Sequence, residues 1–234
     1  MKKVILAFIM FFIMTSASLA DSNVYITQSG ASLDLDITMD GNNNAVGAAN
    51  DRTLLTGANL DVDIDLIGAS NVITGDFIGA GESGSDDLKI NQTGSTNTTA
   101  LNIGSSAATD DVSIIENRIG SSGVTSYLVG SAATVQDVSI TVDVVGDDID
   151  IAISEQSTST GSDKTTDIDI GTDSDDVDII ITHTGAGAHK TKLLCTGSCA
   201  GSDFTMSQTG VNSTNVDLIV TNATSSDVDI TITE

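Results

Sequence analysis

Glu116 and Arg118, in "VSIIENRIG", are the sharpest chemical pair in the chain. Two positions apart in a strand they share one face. A carboxylate beside a guanidinium in a closed site is material for acid–base work; the competing readings are a structural ion pair, or a bulge that turns both outward. A second group is His183, His189, Cys195 and Cys199, in the order His-x5-His-x5-Cys-x3-Cys. Those four could ligate zinc, but two thiols this close, in a compartment that oxidises them, more simply form one disulfide, Cys195–Cys199. The third group is "LDVDIDLIG", where Asp61, Asp63 and Asp65 stand at every second residue. Such a row could share calcium between neighbouring elements through carboxylate oxygens. It lacks the glycine and closing glutamate of an EF-hand loop, and a diffuse cloud of counterions is the other reading. No nucleophilic triad, paired acids or phosphate loop can be assembled, so no enzyme is expected and calcium is the one candidate cofactor.

Alternation explains what positions these groups. In "VSITVDVVG", Val138, Ile140, Val142 and Val144 fall on one side; in "DIDIAIS", Ile149, Ile151 and Ile153 do, and in "VDIIIT", Val177, Ile179 and Ile181 do. One face of each strand is dry and the other wet. Strands of this kind recur. One type begins near Val24, Leu60, Leu88, Val112, Val138, Ile168, Phe204 and Val228, and a second near Leu33, Asn71, Thr99, Val124, Ile149, Val177 and Val216. Spacing from first type to second is nearly constant, whereas the return is looser, which is how a solenoid collects insertions along one side. The expectation is an all-β fold, a β-solenoid with two short strands per coil and about seven and a half coils. It forms a single domain over residues 21–234 with loop insertions at 41–58 and 185–203. A sandwich or barrel of short strands is the alternative.

Residues 1–20, "MKKVILAFIMFFIMTSASLA", read as a secretory signal peptide: two lysines, an apolar run from Val4 to Met14, and small residues Ser18 and Ala20 before the cleavage point. The apolar run is short for a membrane span, so the processed chain is expected outside the membrane. The whole chain carries 33 acidic against 8 basic residues. That balance argues against nucleic acid as a partner. There is no proline and no tryptophan, and beyond the leader the aromatics are Phe77, Phe204, Tyr25 and Tyr127, a list suited to a thin aliphatic core.

Three strands carry a resemblance. "YITQSG" at 25–30, "KINQTGSTNTTALNIG" at 89–104 and "TMSQTGVNSTN" at 205–215 share a Gln-x-Gly core followed by small residues and asparagine, and "GNNNAVG" at 41–47 is alike in composition. This is similar to the curlin repeat of secreted bacterial fibre subunits. The resemblance implies that Gln28, Gln92 and Gln208 form an inward ladder, that Gly30, Gly94 and Gly210 are turn glycines, and that Asn97 is the inward asparagine. It also implies export from a Gram-negative-type bacterium to the cell surface or medium, with an outer-membrane secretion apparatus as the candidate export partner.

Self-association is expected on physical grounds too, because an open solenoid ends in unpaired strand edges. The final strand "DVDITIT" is half a coil, so Val228, Ile230 and Ile232 are the candidate assembly residues, either completed by another copy or simply finishing the column. The functional expectation is a self-polymerising extracellular fibre subunit for adhesion or matrix. The alternative is a monomeric surface binder, for cations or ice, using the flat acidic face.

Overall fold

A computed structural model of the chain describes residues 22–47, 53–57, 59–79, 86–104, 111–130, 137–157, 163–171, 174–196, 199–210, 214–221 and 225–233. The expected leader, residues 1–20, lies outside them. The protein is an all-β solenoid of two strands per coil, with every neighbouring pair of strands parallel. Sheet I contains, in spatial order, Ser22–Val24 with Thr27–Ser29, Asn43–Val46 with Thr53–Gly57, Ser70–Gly79, Thr96–Ile103, Ser122–Val129, Ile149–Ser157, Val177–Gly185, Asp203–Thr209 and Asp227–Thr233. Sheet II contains Leu33–Asp40, Leu60–Ile67, Asp86–Thr93, Val112–Ile119, Val138–Val145, Asp163–Ile170, Ala188–Cys195 and Thr214–Val220.

The chain alternates between the sheets strand by strand. Val112 pairs with Val138 and Ser70 with Thr96, so a central level takes 26 residues, the separation across the Asn71–Asn97 hydrogen bond. Inward residues form axial columns. Leu88, Ile114 and Ile140 make one such column, all three buried, and the same alternation fills the interior with valine, isoleucine and leucine. Each such side chain removed from water contributes roughly 1.5–3 kcal/mol.

Two kinds of corner keep the levels in register. On one side a tight corner carries Gly41, Gly68, Gly94, Gly120 and Gly146, where a Cβ on Gly68, Gly94 or Gly120 would lie about 2 Å from the carbonyl oxygen of the glycine one level before. No side chain fits there. At the entrance to many strands the residue has positive φ: Asn59, Asp111, Asp137, Asp148 and Asp176, each directly before an inward Leu, Val or Ile. Asparagine and aspartate tolerate this left-handed conformation better than other residues with a Cβ, so the recurrent Asp-Val and Asp-Ile dipeptides are structural punctuation.

Two expectations need correction. Segment 41–58 contains the strands Asn43–Val46 and Thr53–Gly57, and segment 185–203 contains Ala188–Cys195. Neither is simply a loop insertion. Each adds a level to one sheet, and each shifts the alternation by one. The strands beginning near Val24, Phe204 and Val228 consequently belong to sheet I, while those at Leu60, Leu88, Val112, Val138 and Ile168 belong to sheet II.

Candidate functional site

The two edges of the stack are the most unusual surfaces of the molecule. Asp227–Thr233 pairs on one side with Asp203–Thr209, and no described strand pairs with its other side. Val228, Ile230 and Ile232 continue the inward columns of Phe204, Met206 and Gln208, yet they are 42%, 44% and 46% exposed. Across the interior, Val216, Leu218 and Val220 of the last sheet II strand are half-buried. An apolar pocket remains between Phe204, Met206, Leu218, Val228 and Ile230. The opposite edge is similar: Val24, Ile26, Leu33 and Leu35 are half-buried, and Ser22–Ser29 and Leu33–Asp40 have no outer strand partner among the described residues.

The glutamines do not form one ladder. Gln92 and Gln208 point inward and are buried, but Gln92 lies in sheet II between Leu66 and Arg118, while Gln208 lies in sheet I between His183 and Ile232. Gln28 is half-buried in sheet I beside Leu55. No two are neighbours: Gln92 is in the other sheet, and Gln28 and Gln208 stand at opposite ends of one sheet I column that runs through Leu55, Phe77, Ile103, Val129, Glu155 and His183. The ladder that does exist is of asparagines. Asn44 Nδ2 donates to Asn71 Oδ1 at 3.0 Å, and Asn71 Nδ2 donates to Asn97 Oδ1 at 2.8 Å. The same amides also donate to the carbonyls of Ile67 and Thr93. The signal in sequence is Gly-x-x-Asn at 41–44, 68–71 and 94–97, of which only Asn97 was read as inward.

Glu116 and Arg118 are both inward and buried. Glu116 accepts hydrogen bonds from Thr99 Oγ1 at 2.8 Å, Thr125 Oγ1 at 3.0 Å and Tyr127 Oη at 2.8 Å. Arg118 Nη1 donates to Thr125 Oγ1 at 2.8 Å, leaving Nε and Nη2 without a hydrogen-bond partner. Burial, aided by the Glu116 charge, holds the Tyr127 phenol well above its ordinary range. Burial lowers the Arg118 value, with the Glu116 charge opposing. This is a structural knot between the sheets rather than an open acid–base pair.

A second interior cluster joins Glu155, Lys164, Thr166, His183, His189, Thr191 and Gln208, all buried. His183 Nε2 lies 3.1 Å from Glu155 Oε2 and 3.2 Å from Thr166 Oγ1, and its Nδ1 faces Gln208 Nε2 at 3.3 Å. Gln208 Nε2 is a donor, so the His183 proton is assigned to Nε2 and donated to Thr166 Oγ1, which in turn donates to Glu155 Oε1, while Glu155 Oε2 makes no hydrogen bond. A hydrolytic triad places hydroxyl and carboxylate on different ring nitrogens; here both meet the same one. Desolvation pushes Glu155 up to about 7, the Lys164 charge opposing, and it pushes His183 down to about 3, helped by neighbouring His189 and Lys164.

Cys195 and Cys199 are disulfide-bonded and both are buried, Cys195 following Ile170 in an inward column of sheet II. The imidazoles of His183 and His189 stack on each other at 5.1 Å. The four-ligand zinc reading is therefore excluded, since the sulfurs are joined to each other. Asp61, Asp63 and Asp65 occupy three separate outward columns. Asp61 lies between Asp34 and Asp87, Asp63 between Asp36 and Lys89, and Asp65 between Thr38 and Asn91, whose amide donates to it. They do not converge, and among the described residues no three His, Cys, Asp or Glu side chains form a metal-holding group. A longer acidic column runs on sheet I through Asp150, Asp178, Asp203 and Asp227.

Among the described residues no helix is long and apolar enough to cross a membrane. Compared with family models, curated proteins and solved structures, the chain matches none.

Proposed function

We propose that the chain is an exported structural subunit that polymerises through its stack edges into an extracellular, curlin-like fibre serving adhesion or matrix. One observation carries the reading: inward-column residues Val228, Ile230 and Ile232 remain nearly half exposed beside an unpaired strand edge. Soluble proteins shield or charge such edges because they template pairing with another chain. Here the outward Asp227 and Asp229 are the charges present, and nothing among the described residues covers the apolar side. The Gln-x-Gly and Gly-x-x-Asn segments, the amino-terminal leader sequence and the disulfide agree with a bacterial exported fibre protein, for which an outer-membrane secretion apparatus is the fitting partner.

The test is size-exclusion chromatography and negative-stain imaging of the protein recovered from outside the expressing cell, with amino-terminal sequencing of the same material. The expected results are unbranched fibres with a strand repeat of about 4.8 Å along the axis and a processed terminus near Asp21. A protein that stays monomeric at every concentration overturns the fibre reading and leaves the surface binder in its place. An unprocessed or retained protein overturns export.

A further inference from the structure

The two sheets differ in length by one level. Sheet I has 11 strands, but the first two levels are each broken into a pair, which leaves nine levels against the eight of sheet II. The described stack thus begins and ends in sheet I. Asp227–Thr233 projects half a level beyond Thr214–Val220 at one edge, and Ser22–Ser29 projects beyond Leu33–Asp40 at the other.

This offset dictates how two copies fit. If a second copy stacked head-to-tail in the same orientation, its Ser22–Ser29 would pair with Asp227–Thr233. The sheet II edges would then stand two strand spacings apart, about 9.6 Å, leaving a strand-sized gap in the wall over Leu218. Turning the second copy by half a turn about the stack axis removes the gap. Strands within a sheet are parallel, and successive strands of the coil run in opposite senses, so a half-turn both exchanges the sides and reverses the direction. Ser22–Ser29 then lies parallel beneath Thr214–Val220, in the place of the missing level, and Leu33–Asp40 lies parallel beneath Asp227–Thr233.

Resting on the fibre reading above, we propose that copies of this chain join head-to-tail with a half-turn at every joint, so that the two sheets exchange sides from one subunit to the next. Side-chain chemistry fits. Val24 and Ile26 come under Val216 and Leu218. Val228 and Ile230 come over Leu35 and Ile37, closing the apolar pocket at this edge against a half-buried leucine and an isoleucine that already belongs to the core. Hydrogen-bonded pairing then continues unbroken across the joint, as it does between levels within one chain.

Paired cysteines on outward positions test the geometry with the native disulfide left in place. In the half-turn joint Thr231 of one copy faces Thr38 of the next, whereas in the unrotated joint it faces Thr27. Fibres carrying T231C and T38C, treated with a short thiol-specific cross-linker and then dissolved, should run as covalent multimers; fibres carrying T231C and T27C should not. The reverse result overturns the half-turn, and so does dimer formation by T231C alone, which would mean tail-to-tail pairing. Helical reconstruction of unmodified fibres gives a second measure that needs no variant. The expected symmetry is one half-turn per subunit, superposed on the gradual twist of the stack, with a rise of about 41 Å, eight and a half strand spacings. A subunit repeat with no half-turn overturns the proposal while sparing the fibre reading. Absence of fibres from the unmodified chain fails the reading itself.

Discussion

The guanidinium of Arg118 fills much of the space that an asparagine would need at Gly123: a Cβ there would lie 2.9 Å from Arg118 Cζ, and equally close to the backbone carbonyl oxygen of Asn97. Gly123 is the next level of the column Asn44–Asn71–Asn97, so the amide ladder stops where the arginine enters. Gly123→Asn, which restores the Gly-x-x-Asn pattern, should therefore destabilise the fold by about 1–3 kcal/mol through overcrowding. Adding Arg118→Val, the residue type found at Val144 in the same column, should recover the part of that loss due to the guanidinium, the Asn97 carbonyl contact remaining. Urea unfolding of the two single variants and the double variant measures the coupling, and independent effects would refute the steric link.

Within the ladder, Asn71 holds the most. It accepts from Asn44 and donates to both Asn97 and the Thr93 carbonyl. Asn71→Ala leaves buried partners unsatisfied and should cost about 2–4 kcal/mol. Asn44→Ala, at the ladder's end, should cost less. Equal losses in denaturant melts would show that the ladder does not act as a unit.

Burial of Glu155 and of His183 sets opposing pH dependences. His183 is held down to about 3 from an ordinary 6.5, so the unfolded chain binds this proton more readily and stability falls as pH drops from 6.5 toward 3. Glu155 is raised to about 7 from 4.5, so the folded chain binds that proton more readily and its stabilising contribution is lost as pH rises from 4.5 through 7. The two offset each other between 4.5 and 6.5, leaving the His183 loss exposed below that window and the end of the Glu155 loss above it. His183→Gln should flatten the acid limb of a stability-versus-pH curve measured from pH 3 to 8. An unchanged limb would assign acid sensitivity to other groups.

The disulfide makes a graded prediction. It closes too short a loop to restrict the unfolded chain strongly, but both cysteines are buried among aliphatic groups. Replacing both by serine buries two hydroxyls at about 1–3 kcal/mol each. Replacing both by alanine should be milder. Calorimetric melting of the two double variants, compared with the reduced parent, should rank serine lowest; parity between serine and alanine would place the site at the surface.

Charge along the outward column should respond to salt. Asp178 is raised by partial desolvation, with the neighbouring carboxylates of Asp203, Asp150 and Asp176 adding to the rise and a backbone hydrogen bond opposing it. Asp203→Asn should raise the melting temperature at low ionic strength, with the gain shrinking toward 1 M salt, where the screening length is about 3 Å. Calcium and sodium matched for ionic strength should differ little, since the acids stand in columns rather than in a converging group. A sharp calcium-specific rise in melting temperature would reopen an ordered site.

Period-two alternation made the solenoid legible, because inward Val, Ile and Leu recur wherever a strand closes the narrow core. It failed where an inward residue was polar. His189 and Thr191 face inward in Ala188–Cys195, and Asn44 does in Asn43–Val46, so both segments resembled loops although their outward partners, Lys190 and Lys192 in the first case, alternate correctly. Reading those two segments as loops exchanges the sheets at both ends and turns three separated glutamines into a single ladder. The interior clusters were beyond reach for a different reason. Glu155 and His183 are 28 residues apart and meet only because register stacks one level on the next.

The 26-residue register also defines how the molecule would yield under tension. Backbone hydrogen bonds between levels run along the stack axis, so a pull on the two termini peels one level at a time instead of shearing the sheets. Each central level released would free about 90 Å of extended chain, at roughly 3.4 Å per residue, in exchange for a single strand spacing. A filament made this way would lengthen in near-uniform steps under load and dissipate work without severing its backbone. Those steps would appear as evenly spaced peaks in a single-molecule force trace.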